Sequence, residues 1–192
     1  MKNFFKMGCL GFIVLIVIII VIAVATGGND SSNKANTSNS TKQETNKKDA
    51  KNSYGVGDAV EVGDMVYTVN SKEVTSQVGP SVLPTEAKGK FLVVELNVKN
   101  NGNKAVTVDS SFFKLKHGDK VFEADSAASM SANQGEDGNI KNSFFLEQLN
   151  PDLEMGGKVV FDLSESTVNA SDLQLQVQTG AFGTQTEVIN LQ

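Results

Sequence analysis

The sequence predicts an all-β domain, an antiparallel β-sandwich, and three observations support this prediction. From Gly55 onward, short segments alternate apolar and polar residues, as strands with one buried face do. Gly-Asp, Asn-Gly and Asn-Pro pairs separate these segments, which is typical of turns between antiparallel strands. No long stretch combines helical periodicity with capping residues. Clean alternation also argues against a parallel sheet, whose strands are buried on both faces.

The first predicted elements are a hairpin and one strong strand. Residues 59–62 and 65–69 flank Gly63-Asp64, a pair that favours a tight turn. Residues 91–99 form the strongest strand pattern of the chain. The side chains predicted to face the core are Leu92, Val94, Leu96 and Val98, and those predicted to face water are Glu95, Asn97 and Lys99. Residues 100–103 (Asn-Asn-Gly-Asn) end this strand because they tolerate positive φ.

The rest of the domain continues as short strands. They are predicted at residues 106–108, 112–115, 120–123, 144–149, 158–163, 173–177 and 187–191. The turn at residues 117–119 (His-Gly-Asp) makes a second hairpin, and Asn150-Pro151 closes another strand. Residues 125–134 are predicted as a short helix or a loop. Eight or nine antiparallel strands with turns between them indicate a sandwich of immunoglobulin-like architecture, without the Cys-Trp-Cys signature of antibody domains.

The N-terminal segment predicts membrane attachment. Lys2 and Lys6 precede an apolar run that ends at Ala25, and a bilayer core requires about 20 helical residues. The positive-inside rule then gives a cytoplasmic stub at 1–6, a transmembrane anchor at 7–26 and an exported remainder. The alternative is a signal peptide cleaved after Ala25, which would make the protein secreted. We favour the anchor because the run is long and no polar region precedes the cleavage pattern.

Composition divides the remaining chain into a linker and an acidic domain. Residues 27–54 are rich in Asn, Ser, Thr and Lys, so they predict a disordered linker that spans roughly 30 Å on average. Residues 1–54 carry seven lysines and three acidic residues, a net charge of +4. Residues 55–192, the predicted sandwich, carry ten lysines and nineteen acidic residues, a net charge of −9. Such a domain repels phosphate backbones, so nucleic acid is not an expected partner.

Few residues offer catalytic or metal-binding chemistry. The lone Cys9 lies in the predicted anchor and the lone His117 lies in a predicted turn, so no zinc site and no Cys–His nucleophile is expected. Glu136 and Asp137, together with Asp125, could bind Ca²⁺, but their spacing does not match the EF-hand loop. We favour a solvated acidic loop, and we predict no catalytic residues, no cofactor and no bound metal.

The segment from residue 125 to 142 is the predicted recognition loop. It is long for a connection in a sandwich, and such loops are often functional. The alternative is that its small residues pack over an open end of the sandwich. The candidate recognition residues are Ser129, Met130, Asn133, Glu136, Asp137 and Asn139.

Motifs spread over the predicted domain resemble those of a known family. They are VGD at 56–58, VGDMVYTV at 62–69, GKFLVV at 89–94, VKNNG at 98–102, VDSSFFKL at 108–115, LNP at 149–151 and GKVVFD at 157–162. They resemble an extracellular domain of bacterial surface lipoproteins that is grouped with the telokin-like, immunoprotective extracellular protein family. The resemblance implies an immunoglobulin-like sandwich and an exported location, and it brings no catalytic residues. Relatives often carry a lipobox, whereas here a hydrophobic segment takes its place.

The expected function is that of a non-enzymatic binding or interaction module in the bacterial cell envelope. Its predicted location is the cell membrane, with a single pass and the C-terminal domain outside. The predicted partners are membrane lipid, through the N-terminal helix, and an envelope protein or wall polymer of unknown identity. Two alternatives stay open: a carboxylate-based envelope hydrolase, which needs two acids across a cleft, and an accessory subunit of a membrane-protein complex.

Overall fold

The computed structural model describes residues 53–180 and 183–192. The predicted stub at 1–6, the predicted anchor at 7–26 and the predicted linker up to residue 52 lie outside the described residues. Within the described part of the chain, neither α-helix has the length and apolar character needed to cross a bilayer.

Over residues 53–180 and 183–192 the chain forms ten strands and two short α-helices. In chain order the elements are β1 (Ala59–Val62), β2 (Met65–Val78), β3 (Thr85–Asn100), β4 (Val106–Val108), a 3₁₀ helix (Ser110–Phe112), β5 (Phe113–His117), β6 (Lys120–Glu123), α1 (Ser126–Ala132), β7 (Glu147–Leu149), β8 (Glu154–Leu163), α2 (Glu165–Val168), β9 (Gln174–Gln178) and β10 (Thr186–Asn190). The predicted hairpins β1–β2 and β5–β6 are both present.

The strands form two four-stranded sheets and one small two-stranded sheet. The first sheet has the order β1-β2-β3-β8 and the second has the order β10-β9-β5-β6, while β4 pairs with β7. Every pairing between these strands is antiparallel. Side chains from both large sheets share one buried cluster, so the predicted antiparallel sandwich is confirmed.

The core lies between the two sheets, where apolar side chains from alternate positions meet. Leu92, Val94, Leu96 and Val98 of β3 are fully buried, as the alternation predicts. Tyr67 of β2 packs edge-to-face against Phe113 of β5, with 6.1 Å between ring centroids. Its hydroxyl donates a 2.6 Å hydrogen bond to the carbonyl oxygen of Gln178. Burial raises the pKa of the Tyr67 hydroxyl, so the group stays a donor.

A second, smaller core lies on the outer face of the first sheet. Phe91 and Val93 of β3 and Val160 of β8 are buried there beneath Ala128 of α1. These side chains alternate with the main-core residues of the same strands, so β3 is buried on both faces between Phe91 and Val94. Residues 125–134, predicted as a helix or a loop, therefore include a helix that covers a sheet face rather than an open end of the sandwich.

The limits of several predicted strands differ from the structure. β2 continues to Val78, although it is predicted to end at residue 69, and β3 begins at Thr85, although it is predicted to begin at residue 91. The register between the two strands is irregular near Asn70 and Ser76. The predicted strand at 144–149 is shorter, because only Glu147–Leu149 pairs with a neighbour. Leu146 interrupts it with a φ of 54°, a left-handed conformation that a strand cannot contain.

Candidate functional site

The predicted recognition segment is tied closely to the free edge of the first sheet. Its helix α1 begins at Asp125, whose carboxylate accepts a 2.9 Å hydrogen bond from the amide of Ala128 and so caps the helix. The amide of Asp125 itself donates to the carbonyl oxygen of Val160 in β8, at 2.8 Å. β8 is an edge strand, so its outward backbone groups need partners. The amide of Asp125, at the start of the segment, is one of these partners.

Two predicted recognition residues, Ser129 and Asn133, complete this edge. The hydroxyl of Ser129 accepts a 2.9 Å hydrogen bond from the amide of Val160, and the side chain is buried. The amide side chain of Asn133 accepts from the amide of Lys158 at 2.9 Å and donates to its carbonyl oxygen at 2.8 Å. Asn133 also donates to the carbonyl oxygen of Ser129 at 2.7 Å. Both side chains thus supply the hydrogen bonds that a neighbouring strand would otherwise make with β8.

Glu136, a third candidate, joins the segment to the hairpin between β2 and β3. Its carboxylate accepts from the amide of Ser81, at 3.1 Å to each oxygen, and from the hydroxyl of Ser81 at 2.9 Å. Ser131 adds a second link, since its hydroxyl donates to the carbonyl oxygen of Val78 at 3.3 Å. Glu136 therefore braces the hairpin.

The remaining candidates lie on the surface and do not converge on one site. Asp137 accepts hydrogen bonds from Asn139, at 3.1 Å from its amide and 2.9 Å from its side chain. The side-chain hydrogen bond from Asn139 lowers the pKa of Asp137, so that the carboxyl stays ionised in an exposed turn. Met130 is half-buried on α1. In the described part of the chain, no group of three or more His, Cys, Asp or Glu side chains is arranged to hold a metal ion.

A shallow cleft of about 320 Å³ lies beside the segment. Asn133 and Lys141 line one side, and Lys158 and the glycines of β8 line the other. A Cβ on Gly157 would come within 2.3 Å of the carbonyl oxygen of Asn142, so glycine lets the segment approach the strand.

The larger concave feature lies at one end of the sandwich, where three connections meet. The cleft measures about 600 Å³. Its walls are the β1–β2 turn, the β3–β4 loop and the ends of the β9–β10 connection. The polar side chains in the lining are Asp64, Asn100, Asn103, Lys104, Thr179, Thr184 and Gln185. The lining thus offers hydrogen-bond donors and acceptors and one charge of each sign.

Asn100 lines this cleft and holds the β3–β4 loop in place. Its side chain is buried and donates to the carbonyl oxygens of Lys104 at 2.8 Å and Leu149 at 3.0 Å. Its oxygen accepts from the amide of Gly102 at 2.9 Å. The loop also contacts the opposite turn, because the amide of Asn101 donates to the carbonyl oxygen of Asp64 at 2.8 Å. These bonds fasten the β3–β4 loop, which forms one wall of the cleft, to its neighbours.

Sequence reasoning missed this cleft, although it identified part of its chemistry. The Asn-Asn-Gly-Asn run at 100–103 predicts the end of a strand, and the structure confirms that end. The pattern does not indicate that the β9–β10 connection lies opposite, because Gln185 follows Asn100 by 85 positions and Asp64 by 121 positions in the sequence. Only the sheet order brings these connections together.

The sequence predicts His117 in a turn, whereas in the structure it is the last residue of β5, directly before the turn to β6. Its partner is Asp172, which lies just before β9, and not the neighbouring Asp119. The Nδ1 atom of His117 lies 2.5 Å from a carboxylate oxygen of Asp172, and the amide of Gly118 donates to the other oxygen at 3.2 Å. The hydrogen bond from His117 lowers the pKa of Asp172. This pair fastens a turn to the β8–β9 connection.

The comparisons with known proteins agree with this architecture. A family described as a domain of unknown function, DUF4352, matches residues 54–188, which is most of the chain. The chain belongs to the DUF4352 family. No curated protein matches it.

Solved structures resemble this DUF4352 domain in fold. A functionally unknown protein from Listeria monocytogenes is 16% identical with a TM-score of 0.52, and the match covers 72% of this chain and 83% of that one. The yjhA protein from Bacillus subtilis is 12% identical with a TM-score of 0.51, covering 72% and 99% of the two chains. A conserved hypothetical protein from Bacillus anthracis is 16% identical with a TM-score of 0.51, covering 70% and 89%. At these identities the likeness shows the fold alone.

Proposed function

We propose that this DUF4352 chain is a membrane-tethered, extracytoplasmic binding module that holds its partner in the cleft at the end of the sandwich. The observation that carries the proposal is the cleft of about 600 Å³, which lies within the range of about 300–1,000 Å³ usual for ligand sites. Its walls are connecting loops on a rigid sandwich, which is where binding residues commonly occur.

The N-terminal sequence supports the location. The lysines at positions 2 and 6 and the apolar run that follows are expected to place a single membrane pass at 7–26, with the domain outside. Cleavage after Ala25 would release the same domain as a secreted protein. The strand motifs also support the proposal that the sandwich is immunoglobulin-like and related to telokin-like, immunoprotective extracellular proteins.

The cleft is a better candidate than the α1 segment because its polar groups are available. Hydrogen bonds to β8 engage the side chains of Ser129 and Asn133, and hydrogen bonds to the β2–β3 hairpin engage that of Glu136. In the cleft, Asp64 and Lys104 lie among hydroxyl and amide side chains that can bond a partner. Such a lining suits a polar polymer or an extended segment of an envelope protein.

The proposed module has no catalytic activity. A hydrolase that uses carboxylates needs one with a raised pKa to donate a proton. The described lining of the cleft contains one carboxylate, Asp64, and not the pair across a cleft that such a hydrolase uses.

Site-specific photocrosslinking in intact cells tests this proposal. A photoreactive amino acid at Asn103, in the cleft, is expected to capture a specific partner, while the same amino acid at Lys120 is not. Lys120 is a matched control because it lies exposed at the start of β6 and is not part of the cleft lining. Equal capture from both positions, or none from Asn103, would contradict the assignment of the cleft.

A further inference from the structure

The cleft at the end of the sandwich contains one carboxylate and one ammonium group that do not pair with each other. Asp64 in the β1–β2 turn and Lys104 in the β3–β4 loop both line the cleft, and both are exposed. In the described part of the chain, neither the Asp64 carboxylate nor the Lys104 ammonium forms an ion pair. Two such charges are complementary to a partner that offers groups of both signs.

The turn that carries Asp64 is packed between two walls of the cleft. The amide of Asn101 donates to the carbonyl oxygen of Asp64 at 2.8 Å. A Cβ on Gly102 would come within 3.0 Å of the Cβ and of a carboxylate oxygen of Asp64. On the other side, a Cβ on Gly63 would come within 2.8 Å of the side-chain oxygen of Gln185. These contacts keep the Asp64 carboxylate at the cleft.

The uncharged part of the lining suits the backbone of a polypeptide. Asn103 and Gln185 carry amide side chains, Thr184 carries a hydroxyl, and all three are exposed. Amides and hydroxyls both donate and accept hydrogen bonds, as each peptide unit of an extended chain also does. The described lining contains no aromatic side chain, so it offers no ring face for stacking. Hydrogen bonds and charge are therefore the contacts that this lining can make.

The charge of the domain disfavours an anionic polymer as the occupant of the cleft. Residues 55–192 carry a net charge of −9, and the sequence contains no arginine. Lys104 is the single cation in the described lining. The field of the domain would repel a chain of phosphate groups, whereas it attracts a cationic group, for which Asp64 is a local partner.

The chain enters the domain at the opposite end of β10 from the cleft. The amide of Asn190, the last residue of β10, donates to the carbonyl oxygen of Tyr54 at 2.8 Å. Thr186, the first residue of β10, pairs with Gln178 beside the cleft. Four residues of strand separate Thr186 from Asn190, a distance of about 14 Å. This arrangement suits a cleft that receives a segment of another molecule.

We propose that the cleft holds an extended polypeptide segment of another molecule, and that Asp64 binds a cationic side chain of that segment. This inference rests on the proposed function, because it names the class of partner for the same cleft. A polypeptide supplies both signs of charge and the amide groups that the lining can bond, whereas an anionic wall polymer supplies one sign. Asp64 is then the residue that determines the specificity of the cleft.

Identification of the adducts formed from position 103 in intact cells tests the inference. The photoreactive amino acid that replaces Asn103 is combined with Asp64→Asn, Asp64→Glu or Asp119→Asn. Asp119→Asn is the matched control, because it removes the same charge from an exposed position outside the cleft lining. Each adduct is quantified, digested with chymotrypsin and identified by mass spectrometry.

The expected adduct contains a partner peptide with a lysine or arginine close to the crosslinked residue. Its yield is expected to fall about fivefold with Asp64→Asn, the effect of losing one exposed ion pair. The yield is expected to stay within about twofold of the parent with Asp64→Glu and with Asp119→Asn. Because Asp64→Glu keeps the charge, it distinguishes the loss of an ion pair from a change in the turn.

The outcomes separate this inference from the proposed function. If position 103 captures no more than the Lys120 control, the assignment of the cleft fails, and the inference fails with it. If the adduct is a glycan or a phosphate-containing polymer, the cleft still binds a partner and only the inference is overturned. A polypeptide adduct whose yield is the same with Asp64→Asn as with Asp119→Asn also overturns it, because the cationic contact is then missing.

Discussion

Replacing Asn133 with alanine tests whether the α1 segment is a structural edge cover or a free recognition loop. Asn133 makes three hydrogen bonds, two with the backbone of Lys158 in β8 and one with the carbonyl oxygen of Ser129. If the segment closes the edge of the sheet, the Asn133→Ala variant leaves the amide and carbonyl of Lys158 without their protein partners. The variant should then unfold more easily than the parent chain.

The expected loss follows from the hydrogen bonds. A hydrogen bond contributes about 0.5–1.5 kcal/mol net, and an unsatisfied buried partner costs about 1–3 kcal/mol. Asn133 is only half-buried, so water can replace part of what is lost. We therefore expect the free energy of unfolding to fall by about 2 kcal/mol. With a urea m-value of about 1–3 kcal/mol/M, the midpoint falls by roughly 1 M.

The assay is urea denaturation of the full chain in a mild detergent, followed by circular dichroism at a β-sheet wavelength. Asn139→Ala is the matched control, because the side chain of Asn139 donates its one hydrogen bond among the described residues to Asp137, within the same exposed turn. Its effect is expected to stay within about 0.5 kcal/mol. If Asn133→Ala were as mild as Asn139→Ala, the segment would not be holding the edge of β8.

Three further predictions concern single side chains. Burial raises the pKa of the Tyr67 hydroxyl, so the parent chain should lose stability as pH rises above the usual tyrosine pKa of 10.0. Tyr67→Phe removes this hydroxyl and its hydrogen bond to Gln178, so the variant should not show that loss. Denaturation of both proteins over a range of pH measures the difference, and equal alkaline profiles would contradict the prediction. Asp172 has a lowered pKa in the folded chain, so its contribution to stability is present above the usual pKa of 3.8 and is lost as pH falls below it. Asp172→Asn should therefore make stability depend less on pH in the acid range. An unchanged pH dependence would contradict the contact with His117. Leu146→Gly should leave the free energy of unfolding unchanged or raise it by up to about 1 kcal/mol, as measured by urea denaturation. Glycine adopts the left-handed conformation of Leu146 without strain, and this gain offsets the greater entropy that glycine loses on folding. A clear loss of stability would show that the leucine side chain is needed there.

The strands that alternate cleanly could be predicted from sequence because their pattern has one physical cause. Val94 to Val98 alternates because one face of that part of β3 lies in the core, and the hairpin turns appear as Gly-Asp pairs. The extension of β2 beyond Val69 could not be predicted, because Asn70 to Gln77 is polar on both faces. That stretch is held as a strand by its pairing with β3, not by its own side chains.

The candidate site was harder to predict for a related reason. Ser129 and Asn133 have the composition of a recognition loop, and polar residues that bond an edge strand look the same in sequence. The cleft depends on residues distant in the chain, and only the sheet order brings the β1–β2 turn against the β3–β4 loop and the β9–β10 connection.

Labelling of a single cysteine in intact cells tests the proposed location and orientation of the binding module most directly. The chain carries Asn103→Cys in the cleft and Cys9→Ser in the predicted membrane segment, so only the cleft position can react. A membrane-impermeant maleimide is expected to label this cysteine in unbroken cells, and a captured partner should protect it. Labelling only after the cells are broken would place the cleft inside the cell and contradict the proposed function.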